Sequence, residues 1–553
     1  VVNALPDWLT PLPDAESMRA VDRWAIEDQG VPSLELMERA GAAVAAAVQR
    51  LRPDGPVTVM CGKGNNGGDG LVAARLLRQA GRAVSVVCTG DPSELTGDAA
   101  ASLSLLEGAG PLRLDGSCWE VGPAVAESGE AAGEARAGAV AGRLPGWDEA
   151  GHVVVDALLG TGFAGEPRGA VADAIDAICS SRSPVVSVDV PSGVDASSGE
   201  ISGAAVSAAA TVSFHAAKPG LFINPGKKHA GSVRTADIGI PRGAPLDAQA
   251  GLMGAGVLSA LPVRGPASTK FKSGQVIVVG GSRGLTGAPA MAARAAMRAG
   301  AGYVTVFAPA SLQPVIASGA TLELMTRGLA EDAQGGLAPE GRQDVLDAAA
   351  RAGALALGPG LGRSEGAFAL ARELALGAKL PLVLDADGLN AHAHRLHALS
   401  ARHAPTVLTP HAGELGRLLG RDSSDIEAHR LQAVREAAAR AGAVVVLKGD
   451  DTLVAEPSGR VAVSPGGSPA LATAGTGDVL TGVIAAMLAQ GLEPFTAACA
   501  AVWLHACAGR AAALALGSAE GVIATDVIEA LPAARSGAGA PAGGQAPSGA
   551  DRA

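Results

Sequence analysis

Aromatic residues are scarce in this chain: one tyrosine, five tryptophans and seven phenylalanines make up 2% of 553 residues. A core built on large rings is thereby excluded. Alanine, glycine, valine and leucine take their place, which predicts tightly packed helices on sheets and an α/β architecture. Cysteine occurs as six scattered residues, Cys61, Cys88, Cys118, Cys179, Cys499 and Cys507, with no C-x-x-C pair. That spacing indicates neither a zinc site nor a disulfide framework, so reduced, mostly buried thiols are expected. There is no basic patch either, because a formal net charge of -11 is spread along the chain. Nucleic acid and an anionic membrane surface are therefore poor partners, and small molecules become the expected ligands. No uninterrupted apolar run reaches the roughly 18 residues of a spanning helix, and no basic segment followed by an apolar one opens the chain. A cytoplasmic protein is expected. G-x-x-x-x-G-K-[ST] is missing too, which excludes a P-loop as the phosphate site.

What is present is a rhythm of short apolar runs and glycine turns. The length predicts two domains of roughly 250 residues each. Runs at 57–60, 84–88, 153–155, 185–190 and 211–214 read as buried strands of a parallel, doubly wound sheet. A second series starts at "QVIVVGGS" and continues through "YVTVFAP", "ALALGPGLG", "LPLVLDADGLN", "PTVLTPHAGE" and "AVVVLKGDDT". Turn residues collect between them, so the expected domains are 1–245 and 255–532, followed by a disordered Gly/Pro/Ala/Ser tail at 533–553. Residues 115–150 read as a surface helix with loose loops, and residues 1–10 carry no weight.

The first informative stretch is "VTVMCGKGNNGGDGLVAARLLRQAG". Gly62-x-Gly64-x-x-Gly67 satisfies a dinucleotide fingerprint, with a strand before it and a helix expected from near Gly70. Alone that match is weak. Asn65, Asn66 and Asp69 add three polar side chains that a plain pyrophosphate turn does not need, and they point to ligand or ion contacts. The loops "VVVDALLGTGFAGEPRG" and "VVSVDVPSGVDASSG" follow apolar strands, so they belong at the same carboxyl edge of the sheet. Asp156, Asp189, Ser192 and Asn66 would then gather hard oxygen ligands suited to an alkali or alkaline-earth cation. Each acid taken singly reads equally well as a cap or turn residue.

Together, "GNNGGDG", "VDALLGTG", "DVPSGVD" and "SFHAAKPG" resemble the NAD(P)H-hydrate epimerase family over about residues 15–240. The resemblance implies a Rossmann-like domain in which Asn65, Asn66, Gly67, Gly68 and Asp69 contact the hydrated dinucleotide. The same is implied for Gly160, Thr161, Gly162, Phe163, Ala164, Gly165 and Glu166, with potassium on Asn66, Asp156 and Ser192. Asp189 is the candidate for proton transfer during interconversion of the R and S hydrates, and a substrate contact. Some members carry a lysine after the second strand, where this chain reads Cys88-Thr89-Gly90-Asp91. Lys218 in "AAKPG" could meet a phosphate but reads more simply as a solvated lysine.

In the second half, "ATAGTGDVLTG" sets backbone amides at a helix start with Asp478 beside them, a turn able to hold a transferring phosphoryl group. An isolated turn of this kind reads more simply as an aspartate capping its helix. Six motifs in order, "GGSRGLTGAPAMAARAAMRAGAGYVTV", "LGPGLG", "VLDADGLN", "TPHAGE", "LKGDDT" and "GTGDVLTG", resemble the nucleotide-dependent NAD(P)H-hydrate dehydratases, a branch of the ribokinase-like fold. That resemblance implies a hydrate site at Ala288, Gly362, His411 and Asp478. It implies adenine-nucleotide binding by Lys448, Gly449, Asp450, Asp451, Thr452 and Gly477, with ADP as phosphoryl donor and Asp478 as the base. Magnesium is expected with the nucleotide, and Asp385 and Asp387 are its candidate ligands. The histidines of "AHAHRLHALSARH" read as a polar helix face.

Both halves together imply a bifunctional enzyme that restores hydrated NADH and NADPH (NADHX and NADPHX), expected as a homo-oligomer. Two other readings stand beside it: a ribokinase-like small-molecule kinase with a fused dinucleotide-binding regulatory domain, and a first domain that is a non-catalytic dinucleotide sensor or protein-binding module.

Overall fold

The computed structural model describes residues 5–115, 118–121, 150–319 and 321–536. They fall into two units, one spanning Pro11–Ala250 and the other made of the chain from Gly251 onward with the residues before Pro11.

The first unit is Rossmann-like. Its eight-stranded sheet runs Cys118–Val121, Leu112–Asp115, Val84–Cys88, Val57–Cys61, Val153–Ala157, Val185–Val188, Ala210–Phe214 and Ser232–Ala236. Every neighbouring pair is parallel except the first. All five residues of Val57–Cys61 are buried, as they must be in a strand covered on both faces, and this removes the polar alternation a half-exposed strand would show. The strand lies between Val84–Cys88 and Val153–Ala157, where the winding reverses, so its carboxyl end opens a crevice.

The second unit carries the ribokinase-like sheet of eleven strands. Its order is Leu9–Leu12, Ala250–Met253, Val461–Val463, Leu453–Ala455, Val444–Leu447, Thr406–Leu408, Leu382–Leu384, Ala354–Leu357, Gln275–Val279, Tyr303–Pro309 and Met325–Leu329. From Val444–Leu447 to Met325–Leu329 the pairing is parallel, and the winding reverses at Gln275–Val279. Small residues let the helices close on one another without rings. A Cβ on Gly482 would meet the Ala292 carbonyl oxygen at 2.0 Å, which shows how tightly Thr476–Ala489 lies on Gly287–Arg298.

Several expectations change here. Trp8 packs on Phe495 with ring centroids 6.1 Å apart and Leu9 is buried in the second core, so the opening residues do matter. Residues 118–121 form an edge strand where a helix was expected, and 122–149 lie outside the described residues. Helix Ala524–Arg535 extends past the expected end at 532, because Leu531 and Ala534 are buried; 537–553 lie outside the described residues. Pro494–Leu516 is a helix long and apolar enough to cross a membrane, with mean hydropathy 1.4. Its sequence run is broken by His505 and Arg510, and it serves as a core helix, with Phe495, Cys499 and Leu504 buried. His392 is buried too, its Nδ1 2.9 Å from the Gly388 carbonyl, rather than part of a polar helix face. Four of the five described cysteines are buried and all five are free thiols.

Candidate active sites

At the carboxyl edge of the first sheet lies a cavity of about 790 Å³. Asn65, Asn66, Asp69, Gly160, Thr161, Gly162, Phe163 and Asp189 line it, whereas Gly67, Gly68, Ala164, Gly165 and Glu166 do not. The helix begins at Asn65, not near Gly70, so both asparagines occupy its first turn with Gly64 as the cap. Most of the glycines serve packing. A Cβ on Gly62 would sit 2.0 Å from the Leu158 carbonyl oxygen, and one on Gly67 would sit 2.0 Å from that of Gly62. Gly64 faces open space and is where the backbone can approach a ligand.

Of the residues expected to hold a cation, Asn66 and Ser192 meet at Leu159, and Asp156 joins them through Ser192. Asn66 Nδ2 donates to the Leu159 carbonyl at 3.0 Å, and the Leu159 amide donates to Ser192 Oγ at 3.0 Å. Asp156, wholly buried, accepts from Ser187 Oγ at 2.8 Å and from the Ser192 amide at 2.9 Å. Burial pushes its carboxyl above the ordinary value, with only hydrogen bonds from Ser192, Ser187 and Leu158 opposing it. Hydrogen bonds engage both of its oxygens, and no lysine or arginine balances it.

Asp189 has a positive φ of 64°, an uncommon conformation for a residue other than glycine. Its Oδ1 accepts from Lys218 Nζ at 2.5 Å, and its Oδ2 accepts from the Thr161 amide at 3.1 Å and from the Thr161 hydroxyl. Burial raises Asp189, but the Lys218 charge and the hydrogen bonds from Lys218 and Thr161 bring it below its usual value. Asp69 moves the other way, well above its ordinary range, through burial and the nearby carboxylates Asp189 and Asp22. Lys218 is no solvated lysine: it is 1% exposed, at the start of the Pro219-Gly220-Leu221 turn. Asp22, on helix Ala15–Arg23, also lines the cavity, and only its place in an amphipathic helix next to the site could have signalled it.

The second site lies at the carboxyl ends of the central parallel strands. Gly475, with φ 90°, caps helix Thr476–Ala489, so Gly477 and Asp478 fall in its first turn. Burial, then Asp385, and also Glu414, push the Asp478 carboxyl up to about 7 against the opposing charge of Lys448. Lys448 Nζ is 3.1 Å from Asp385 and 3.7 Å from Glu414, whose charges outweigh its burial and hold it cationic. His411 caps helix Ala412–Leu419, its Nδ1 accepting from the Gly413 amide. Ala288 and Gly362 flank one turn: a Cβ on Gly360 would meet Ala288 Cβ at 3.1 Å, and the Gly362 amide donates to Asp387 at 3.1 Å.

Of the expected nucleotide run, Gly449 and Asp450 are exposed, and Thr452 Oγ1 closes the turn onto the Gly449 carbonyl at 2.6 Å. Asp451 is turned inward, 2.9 Å from buried Arg430, so its carboxylate is not offered to a ligand. The magnesium candidates also fit poorly. Asp385 is held by Lys448 and Thr481, and Asp387 by Arg363, Asn390 and Gly362. Neither presents a free carboxylate to a hard cation.

Comparison with known proteins matches residues 276–533 to the family described as NAD(P)H-hydrate dehydratase and residues 33–220 to the YjeF-related protein N-terminus. A bifunctional NAD(P)H-hydrate repair enzyme of Salinibacter ruber is 41% identical over 537 residues, covering 94% of this chain and 95% of that protein. Its counterpart from Moorella thermoacetica is 38% identical over 528 residues, with 94% and 95% covered. Among solved structures, the ADP/ATP-dependent NAD(P)H-hydrate dehydratase of Bacillus subtilis, co-crystallized with ATP and magnesium, is 31% identical and has a TM-score of 0.44; 50% of this chain and 94% of that one are covered. By identity sustained across both halves, the chain belongs to the bifunctional NAD(P)H-hydrate repair enzymes, with an epimerase half and a dehydratase half.

Proposed function

We infer that the first half interconverts the R and S hydrates of NADH and NADPH, and that the second dehydrates the S hydrate at the expense of ADP. The observation that carries the second step is Asp478, a carboxyl pushed up to about 7 in the first turn of a core helix. A general base is most useful when its pKa lies near the working pH. Hydroxide leaves poorly and phosphate leaves well, so the C6 hydroxyl is phosphorylated first. Asp478 takes its proton, and amides at the helix start stabilise charge on the transferring phosphoryl group. The ring nitrogen's lone pair then expels phosphate, and loss of a C5 proton restores the reduced nicotinamide. Ala288, Gly362 and His411 are read as hydrate contacts, and Lys448, Gly449, Asp450, Thr452 and Gly477 as nucleotide contacts.

Magnesium is read as arriving on the nucleotide phosphates, since Asp385 and Asp387 are already engaged. Potassium is read at Asn66, Asp156 and Ser192, where it would supply the positive charge that buried Asp156 lacks. The Bacillus subtilis dehydratase is described as ADP/ATP-dependent, and ADP is the donor proposed here. We read the cytoplasm as its compartment and a homo-oligomer as its state.

The test is stoichiometry. With pure S hydrate and ADP, inorganic phosphate and reduced cofactor should appear one for one. Accumulation of a stable phosphate ester without reduced cofactor would instead establish the kinase reading.

A further inference from the structure

Asp22, Asp69 and Asp189 line the cavity at the first sheet's edge together with one buried ammonium, that of Lys218; the other cationic side chains at its edge, Arg19 and Lys63, are exposed, and Lys63 is paired with Glu94 at 2.7 Å. Lys218 Nζ is fully engaged: 2.5 Å to Asp189 Oδ1, 3.0 Å to Ser213 Oγ and 3.1 Å to the Phe214 carbonyl. Only Asp189 receives that cation together with both donors of Thr161. Among the described residues the Asp69 side chain has neither an ion pair nor a hydrogen bond, although it is 8% exposed and borders the cavity. One buried cation, already bound to Asp189, does not offset a second buried carboxylate at Asp69 with half-buried Asp22 nearby. The charge therefore resides on Asp189, and Asp69 keeps its proton.

We propose that Lys218 is the positioning residue of the epimerase half, holding Asp189 as the anionic base, and that Asp69 is the proton donor in the same cavity. The proposal rests on the epimerase reading above and assigns its acid and base. Asp189 takes the proton of the C6 hydroxyl, the electron pair this leaves on oxygen forms the C=O of an aldehyde, and the C6–N1 bond breaks with its electron pair passing to N1. Asp69 delivers its proton to N1. Rotation about C5–C6 presents the other carbonyl face, N1 adds again and returns its proton to Asp69, and Asp189 returns the other proton to the C6 oxygen. Atoms and electrons balance without a co-reactant, and the oxygen stays on C6. Direct loss of hydroxide would instead create an iminium ion that drains toward the reduced cofactor.

The experiment measures epimer interconversion by the full-length protein for wild type, Lys218→Met, Asp69→Asn, Asp189→Asn and the Lys218→Met/Asp189→Asn double variant. Lys218→Met and Asp69→Asn should each lower kcat by about 100-fold or more while KM for the hydrate moves less than about threefold. Added to Asp189→Asn, Lys218→Met should cost nothing further, because its action passes through the carboxylate. A misfolded variant would lose binding along with turnover, and Asp69→Asn, an isosteric change, tests the acid independently. Multiplicative losses in the double variant, or an Asp69→Asn rate within about threefold of wild type, would overturn the proposal. A wild type that does not epimerise at all would overturn the underlying reading instead.

Discussion

Asp385 bridges Lys448 and Thr481: its Oδ1 lies 3.1 Å from the ammonium and its Oδ2 accepts the threonine hydroxyl at 2.7 Å. Thr481 lies one turn beyond Asp478 on the same helix, so a single buried carboxylate ties the catalytic helix to two strand ends and also sets the field at Asp478. Asp385 raises the Asp478 carboxyl, and Lys448 lowers it.

That relationship fixes a pH dependence. The base must be ionised to accept a proton, so kcat/KM for dehydration should rise with pH through about 7. Asp385→Asn removes a raising influence, so the rising limb should move to lower pH. Lys448→Met removes a lowering one, so it should move to higher pH. Profiles of the two variants measured against wild type check both signs, and shifts in the same direction would contradict the assignment.

Asp478→Asn keeps the shape of the helix start and removes the base. Dehydration should fall by about 10² to 10⁴, with epimerisation of the same preparation unchanged. Chromatographic separation of the two hydrates reads both activities in one sample.

The strands were legible because buried parallel strands are continuous apolar runs: Ala354–Leu357 and Val444–Leu447 show it plainly. Asp478 was legible because a left-handed glycine must precede that helix. Lys218 was not, since its burial depends on Asp189, 29 residues away in sequence, and local pattern carries no sign of such a pairing. The direction of Asp451 was hidden for the same reason, its partner Arg430 lying on another helix. The glycines were seen but misassigned in part, because close approach to Leu158 and close approach to a phosphate demand the same residue.

That distinction separates two alanine substitutions. Gly62→Ala forces a Cβ to within 2.0 Å of a backbone oxygen and should cost about 1–3 kcal/mol of stability. Gly64→Ala meets nothing within 4 Å and should change stability by less than about 0.5 kcal/mol, while raising KM for the hydrate. Denaturant unfolding and epimerisation kinetics separate the two effects.

Potassium binding has a thermodynamic signature that does not depend on turnover. Burial raises the Asp156 pKa, so without a cation its ionisation works against the fold once pH exceeds the unfolded value. Potassium should therefore raise the unfolding midpoint of the epimerase half, more at pH 8 than at pH 5. A free concentration about a hundredfold over Kd stabilises by about 2.7 kcal/mol. Asp156→Asn should abolish the effect, and scanning calorimetry in potassium against a large organic cation measures it.

The most direct measurement supplies the protein with both NADH hydrate epimers, potassium, magnesium and ADP, and follows the near-ultraviolet absorbance of the reduced nicotinamide. With wild type the absorbance should return completely. With Asp478→Ala it should not return, and with Asp189→Ala it should return for the S fraction and then slow to the spontaneous rate of epimerisation. No return with either ADP or ATP, or complete and undelayed return with Asp189→Ala, would contradict the account.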